Sequence, residues 1–342
     1  MPVLIVEVAK QAQVSIATVS KVLNRAEGAR VGVETRERVL RVAAEMGYQP
    51  NRMARSMVSG RSNTIGLMVS GLENPFFVAL MEALERQVNL RGYGVMLDVA
   101  PSEKGTYYQH GMIRGWPVDG VVMWAFSNQL ASSFLGPVAD ELPIVYVGYP
   151  REDGADWVAF EHYKAGRLAA GHLIDIGHER VTFVTPHIHD DGTVMDDRHR
   201  GCVDECRERG ALCDLFAMPQ HQATREAAFK TGRAIGALLS ADRPRALVCH
   251  NDLLALGVMH GMRSAGVRVP DDVAVVGFDG IEEGQYQDIS LTTVASPLEE
   301  LASAAVTRLI EILTGSEGDP ISQTIEPRLR IGLSTTGRTQ EV

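Results

Sequence analysis

The stretch Val8-Ala9-Lys10-Gln11-Ala12-Gln13-Val14-Ser15-Ile16-Ala17-Thr18-Val19-Ser20-Lys21-Val22-Leu23-Asn24 decides how the N-terminal part of the chain folds. Two short helical patterns meet at a tight break around Gln13-Val14. Ser15 is placed to cap the second helix, because its hydroxyl can accept a backbone N–H that a helix start leaves unpaired. Val19, Val22 and Leu23 then share one face at helical spacing. The other side carries Ile16, Ala17, Ser20 and Lys21, which are small, polar or cationic. A helix-turn-helix needs such a second helix, which enters the major groove with its N-terminal residues near base edges.

A third helix is expected from Thr35 to Met46, with Val39, Leu40, Val42, Ala43 and Met46 turned inward and Gly47 ending it as a C′ residue. A polar, basic connector follows from Tyr48 to Ser62. The order helix-turn-helix, Glu34-Thr35-Arg36-Glu37-Arg38-Val39-Leu40, Gly47-Tyr48-Gln49-Pro50-Asn51, Ala54-Arg55-Ser56 and Ile65-Gly66-Leu67 resembles the lactose-repressor (LacI/GalR) family of transcription factors. The similarity continues through Asn74-Pro75-Phe76-Phe77, Val118-Asp119-Gly120-Val121, Gly177-His178-Glu179-Arg180, Asn251-Asp252 and Val276-Gly277-Phe278-Asp279. Each motif alone is weak; their order and spacing together are specific, and they span nearly the whole chain.

Charge is distributed as such a protein requires. The whole chain carries −10, yet residues 1–62 hold ten Lys and Arg against five Asp and Glu, net +5, which leaves −15 on the other 280. A basic head on an acidic body is the footprint of a modular DNA-binding protein. The four cysteines (Cys202, Cys206, Cys213, Cys249) form no C-x-x-C pair and read as small hydrophobes in a reducing compartment. The start Met1-Pro2-Val3-Leu4-Ile5-Val6-Glu7 has no basic segment before a long apolar run, so no signal peptide is expected. No segment approaches the ~20 apolar residues of a membrane span. A cytoplasmic location follows as the expectation.

From Thr64 onward, apolar strands alternate with helical patterns. Strands are expected at Ile65–Val69, Tyr93–Val99, Gly120–Trp124 and Ile144–Val147, with helices from Pro75 to about Leu90 and near Lys104 to Arg114. A second series runs from Gly166–Ile176 through Val181–Val184, Arg198–Gly210, Ala246–Cys249 and Val273–Val276. Apolar strands between helices imply parallel sheets covered on both faces. The fold class is therefore α/β: a three-helix head on a two-lobed, periplasmic-binding-protein-like core of parallel sheets. The resemblance implies that residues 1–50 form the DNA-binding domain, 51–62 a hinge, and 63–342 the effector-binding and dimerisation core. Ligands of open α/β sheets bind outside the carboxyl ends of the strands, which points to the cleft between the lobes.

Catalytic signatures are missing. The turn Ser70-Gly71-Leu72-Glu73-Asn74-Pro75 is neither G-x-G-x-x-G nor a P-loop, and no G-x-S-x-G elbow occurs. The polar run His187-Ile188-His189-Asp190-Asp191, with Asp196 and Asp197 behind it, reads as a solvated loop at the cleft mouth rather than a metal site. No catalysis, cofactor or metal is expected. A ligand-processing enzyme with a DNA-binding head is the alternative from another class.

The resemblance implies particular roles. Ser15, Ile16, Ala17, Thr18, Ser20, Lys21 and Asn24 would meet the major groove of a near-palindromic operator. Asn51, Ala54, Arg55 and Met57 would line the hinge, Met57 standing where relatives place a leucine that wedges into the minor groove. A homodimer is implied. Arg198 occupies the family's effector-binding arginine position, Asp279 its aspartate, and Asn251 follows a strand in the same manner. Phe76, Phe77 and Trp124 complete the candidate cleft, one phenylalanine facing the core and the other the ligand. The effector would be a carbohydrate; a purine or another metabolite acting as corepressor is the alternative. The chain also departs from the family. Glu161-His162 replaces a common Asp-Asn pair, Gly280 a polar residue, and Gln13 the usual turn glycine. A glutamine often found near Ser296 is missing.

Overall fold

The computed structural model describes residues 3–23, 31–48, 61–69, 71–99, 117–124, 142–150, 154–186, 194, 196–218, 223–238, 240–315 and 318–336. The chain divides into two compact units, Met1–Ser62 and Asn63–Val342.

In the first unit, α1 (Ile5–Gln11), α2 (Ile16–Leu23) and α3 (Val33–Glu45) surround Val8, Val19, Val22, Val39 and Val42, all buried. Ser15 caps α2 as expected: its Oγ accepts from the Thr18 N–H at 3.1 Å. Gln13 adopts φ +54°, a left-handed turn that a glycine would take without strain. Arg38 Nε donates to the Ala12 carbonyl at 3.1 Å and ties α3 to that turn. One expectation fails: Leu40 is 47% exposed. The inward stripe of α3 is Val39, Val42, Ala43 and half-buried Met46, an i, i+3, i+4, i+7 set that turns Leu40 away. Gly47, at φ +63°, follows the helix.

The second unit holds two six-stranded sheets. The first lobe has the order β11-β5-β4-β3-β1-β2 and the second β12-β10-β9-β8-β6-β7. The first comprises β1 (Thr64–Val69), β2 (Gly94–Val99), β3 (Gly120–Trp124), β4 (Ile144–Gly148), β5 (Asp156–Phe160) and β11 (Ser322–Ile325). The second comprises β6 (Arg180–Thr185), β7 (Leu212–Ala217), β8 (Ala246–Cys249), β9 (Ala274–Asp279), β10 (Thr292–Ala295) and β12 (Arg328–Arg330). All pairings are parallel except β10–β12, so the second sheet is mixed rather than wholly parallel. The expected helix at Lys104–Arg114 and the His187–Asp191 loop lie outside the described residues.

Helix α4 (Pro75–Leu90) follows β1. Pro75 supplies its first residue, and Asn74 caps it by accepting from the Phe76 N–H at 3.1 Å. Its apolar stripe Phe76, Leu80, Leu84 and Val88 is buried in the first-lobe core. The second lobe carries α5 (His162–Asp175) with α6 (Asp197–Glu208) on one face of its sheet, and α7 (Arg225–Ala237) with α8 (Asp252–Ser264) on the other. The chain then returns: α9 (Leu298–Leu313) places Leu301, Ala305, Val306 and Leu309 in the first-lobe core. Three connections thus link the lobes, after β5, after β10 and after β11. The chain closes on α10 (Leu333–Thr336), where Ser334 Oγ donates to the Val275 carbonyl at 2.6 Å.

Candidate effector cleft

The strand ends of both sheets point toward the space between the lobes, and most residues expected there meet in it. Phe76 is 5% exposed and belongs to the core, whereas Phe77 is half-buried. The two rings meet edge to face at 5.4 Å, and each meets Trp124 at 5.3 Å. Trp124 ends β3 and is only 8% exposed. Gly148, at φ +103°, packs against its six-membered ring, and a Cβ there would lie 2.6 Å from the indole. Trp124 therefore forms a floor rather than an open stacking face. Tyr149 stands over this floor, its ring 6.0 Å from the indole.

His162 begins α5 at the first connection between lobes. Its Nε2 lies 2.9 Å from the Gly148 carbonyl, and its ring stacks on Tyr149 at 4.4 Å. Burial, then the nearby Arg198 charge, pushes its pKa down to about 4. The neutral ring donates from Nε2, which leaves Nδ1 as an acceptor.

The second lobe contributes charge. Arg198, in the first turn of α6, is 7% exposed. Its Nε donates to Asp196 Oδ1 at 3.0 Å, its Nη2 to Asp196 Oδ2 at 3.2 Å. Nη2 also lies 3.2 Å from His250 Nε2, and His250 Nδ1 lies 2.9 Å from Asp196 Oδ2. Asp196 caps α6 through the Arg198 N–H at 2.9 Å. Burial alone would raise the Asp196 pKa. The Arg198 charge and the His250 hydrogen bond outweigh that and hold it well below the carboxylate range. The Arg198 guanidinium also lies 5.5 Å over the Phe278 ring.

Asp279 ends β9 at φ +106°. Its Oδ2 accepts from Asn74 Nδ2 at 3.1 Å, a hydrogen bond that joins the two lobes across 205 residues of sequence. Burial pushes its pKa up from 3.8 to about 6, against Arg198 and the Asn74 bond, which pull it down. A carboxyl that holds its proton more tightly when folded contributes stability below the unfolded value and loses it as pH rises through the folded one. Wild type should therefore lose stability relative to Asp279→Asn between about pH 4 and 6.5. Urea midpoints of the two proteins across that range check it; parallel profiles would reject the buried-carboxyl account.

Asn251 is half-buried and caps α8, its Oδ1 accepting from the Leu254 N–H at 2.9 Å. Its Nδ2 can donate to a ligand. Sequence reasoning missed Asn74, Tyr149 and His250 as cleft groups, noted His162 only as a departure, and placed Asp196 in a solvated loop, whereas its side chain is buried against Arg198 and caps α6. Asp196 carried a readable signal, a cap residue two positions before Arg198. A separate groove of about 490 Å³, lined by Pro75, Phe229, Leu256, His260, Ile281 and Glu283 among others, contains none of the expected effector residues. Among the described residues no cluster of His, Cys, Asp and Glu could hold a metal, and no helix is long and apolar enough to cross a membrane. Asn24, Asn51, Ala54, Arg55 and Met57 lie outside the described residues.

A helix-turn-helix unit and a two-lobed ligand-binding core define a class, the modular DNA-binding regulators. Residues 4–51 match the family described as bacterial regulatory proteins, lacI family, and residues 170–335 match the periplasmic binding protein-like domain. The HTH-type transcriptional repressor PurR of Erwinia tasmaniensis is 30% identical over 326 residues, 94% of this chain and 92% of that protein. The ribose operon repressor of Haemophilus influenzae is 28% identical over 94% of this chain and 95% of its own length. Among solved structures, a transcriptional regulator CelR–cellobiose complex superposes with TM-score 0.66 at 25% identity, covering 97% of this chain and 99% of that one. A lac repressor dimer bound to operator superposes at 0.78 over 98% and 99%; at 22% identity that likeness speaks for the fold. The chain belongs to the lacI family of bacterial regulatory proteins and is a DNA-binding transcriptional regulator.

Proposed function

We propose that this protein is a cytoplasmic, dimeric, non-enzymatic repressor whose affinity for a near-palindromic operator is set by a carbohydrate held between the two core lobes. The observation that carries the reading is the convergence, at one cleft, of a buried guanidinium, a half-buried carboxylate and an aromatic floor. Arg198 Nη1 and Asp279 Oδ1 make no hydrogen bond among the described residues. A donor and an acceptor so placed suit neighbouring hydroxyls of a ring whose apolar face rests on Phe77 and Tyr149. The sugar-named relatives support this choice. A nucleobase is the second reading, because the same aromatic wall suits a flat heterocycle. Thermal-shift screening of the core against sugars and nucleobases separates them, since a ligand of the native state raises its stability.

Ile16, Ala17 and Lys21 are exposed on α2 and would read bases, with Thr18 and Ser20 half-buried beside them. Lys21 can donate to guanine O6 and N7, while Ile16 and Ala17 offer apolar contact to a thymine methyl. Residues 51–62 would act as a hinge that folds against the minor groove, with Met57 as its wedge and Asn51, Ala54 and Arg55 beside it. Lys21→Ala should relax preference at one base pair per half-site by roughly 1–3 kcal/mol. Selection of bound duplexes from a random pool measures this. An unchanged motif in the variant would remove Lys21 from base reading.

A further inference from the structure

We infer that Asp196 makes the cleft selective for uncharged, hydroxyl-bearing effectors and against anionic ones such as sugar phosphates. The inference rests on the reading of this cleft as the effector site. An arginine takes an oxyanion best through two parallel N–H donors on one edge of its guanidinium. Here that capacity is already spent. The Nε/Nη2 edge of Arg198 lies on both oxygens of Asp196, at 3.0 and 3.2 Å. The other hydrogen of Nη2 faces His250 Nε2 at 3.2 Å, so the Nη1/Nη2 edge lacks one of its two donors. Nη1 remains, enough for a single hydroxyl or carbonyl oxygen.

The surrounding charges point the same way. Asp196 is itself secured, by the His250 Nδ1 contact at 2.9 Å and by its place as the cap of α6, and its side chain is 8% exposed. Arg198 therefore enters the cleft as a neutralised pair. Asp279, opposite, presents an oxygen that can only accept when ionised and would repel an anion. The Tyr149 hydroxyl feels one cation, Arg198, and three carboxylates, Asp196, Asp279 and Asp197. Among the described residues, an anionic group entering this space meets more carboxylates than cations, and Arg198 offers it a single donor. A neutral polyol meets a donor at Arg198 and an acceptor at Asp279.

Asp196→Asn tests the assignment. Asparagine keeps the helix cap and the size of the side chain but removes the charge that pairs Arg198. Because that lowers stability, the titrations are run below the variant's melting temperature, set by thermal denaturation. The full-length protein and this variant would be titrated by calorimetry with D-ribose, D-glucose and cellobiose, and with ribose 5-phosphate and glucose 6-phosphate. A wild type that binds a neutral sugar at least about tenfold more tightly than the phosphates, together with a variant in which that ratio falls about tenfold or more, supports the inference. Phosphate binding by wild type equal to or better than the neutral sugar overturns it while leaving the effector site in place. So does an unchanged ratio in the variant. Binding of no compound by either protein overturns the carbohydrate reading, and this inference with it.

Discussion

Arg198→Ala is expected to abolish effector control and to destabilise the core by about 3–5 kcal/mol, the effect of leaving a buried charge without its partner. The charge left behind is Asp196, which would lose the guanidinium and keep the His250 contact and the backbone N–H of residue 198. Operator binding should persist at temperatures where the core remains folded, because the residues proposed to read bases lie in a separate unit. Two companion variants separate the roles. Arg198→Lys keeps a cation but loses the planar pair of donors; it should recover much of the stability while responding poorly to the effector. Asp196→Asn combined with Arg198→Ala removes the stranded charge and should be more stable than Arg198→Ala alone. Chemical denaturation and operator release by the effector measure both. A normal response in Arg198→Ala would remove the arginine from the cleft.

The second large effect is expected at Gly201. Helices α5 and α6 approach closely enough that a Cβ on Gly201 would sit 2.0 Å from the Tyr163 carbonyl oxygen. One on Gly166 would sit 1.9 Å from that of Arg198. The obstacle is backbone on a packed helix, so no side-chain rotation relieves it. The helices must separate, which opens the contact around buried Cys202 and Ala169. Gly201→Ala should cost about 3 kcal/mol or more, at the upper end for overpacking. For a core of this size that is a fall in Tm of roughly 6–12 °C. It should also weaken effector binding, since Arg198 rides on the displaced turn. Exposed Arg200→Ala, one position away, should stay within about 0.5 kcal/mol. Equal melting temperatures for wild type and Gly201→Ala would show that the helices are not held as closely as described.

The contrast between what the sequence reveals and what it hides has a physical origin. The head is legible because its signals are local: a cap at Ser15, a stripe at Val19, Val22 and Leu23, and a C′ glycine at Gly47. Leu40 misled because an apolar residue beside a helical stripe cannot be placed without knowing the stripe's width. The central strands stand out as apolar runs buried on both faces. Strand β11 does not, since Ser322, Gln323 and Thr324 are exposed on the edge of its sheet. The return of α9 to the first lobe is a matter of topology, invisible to any window of sequence. The cleft divides in the same way. Arg198 and Asp279 were found through a resemblance in motif. His250 and Asn74 matter because of contacts made across the fold, His250 to Arg198 over 52 residues and Asn74 to Asp279 over 205.

Under the proposed function, a ligand in this cleft controls the DNA-binding head. The direct measurement is a fluorescence anisotropy titration of the selected operator duplex, with and without a neutral sugar that binds the core, on wild type and Asp279→Ala. The sugar should shift the operator Kd of wild type by at least about tenfold, a typical allosteric coupling. Asp279→Ala should bind the same duplex with unchanged affinity and ignore the sugar. An operator Kd in wild type that does not move when the core is saturated, or an Asp279→Ala protein that responds as wild type does, would contradict the proposed function.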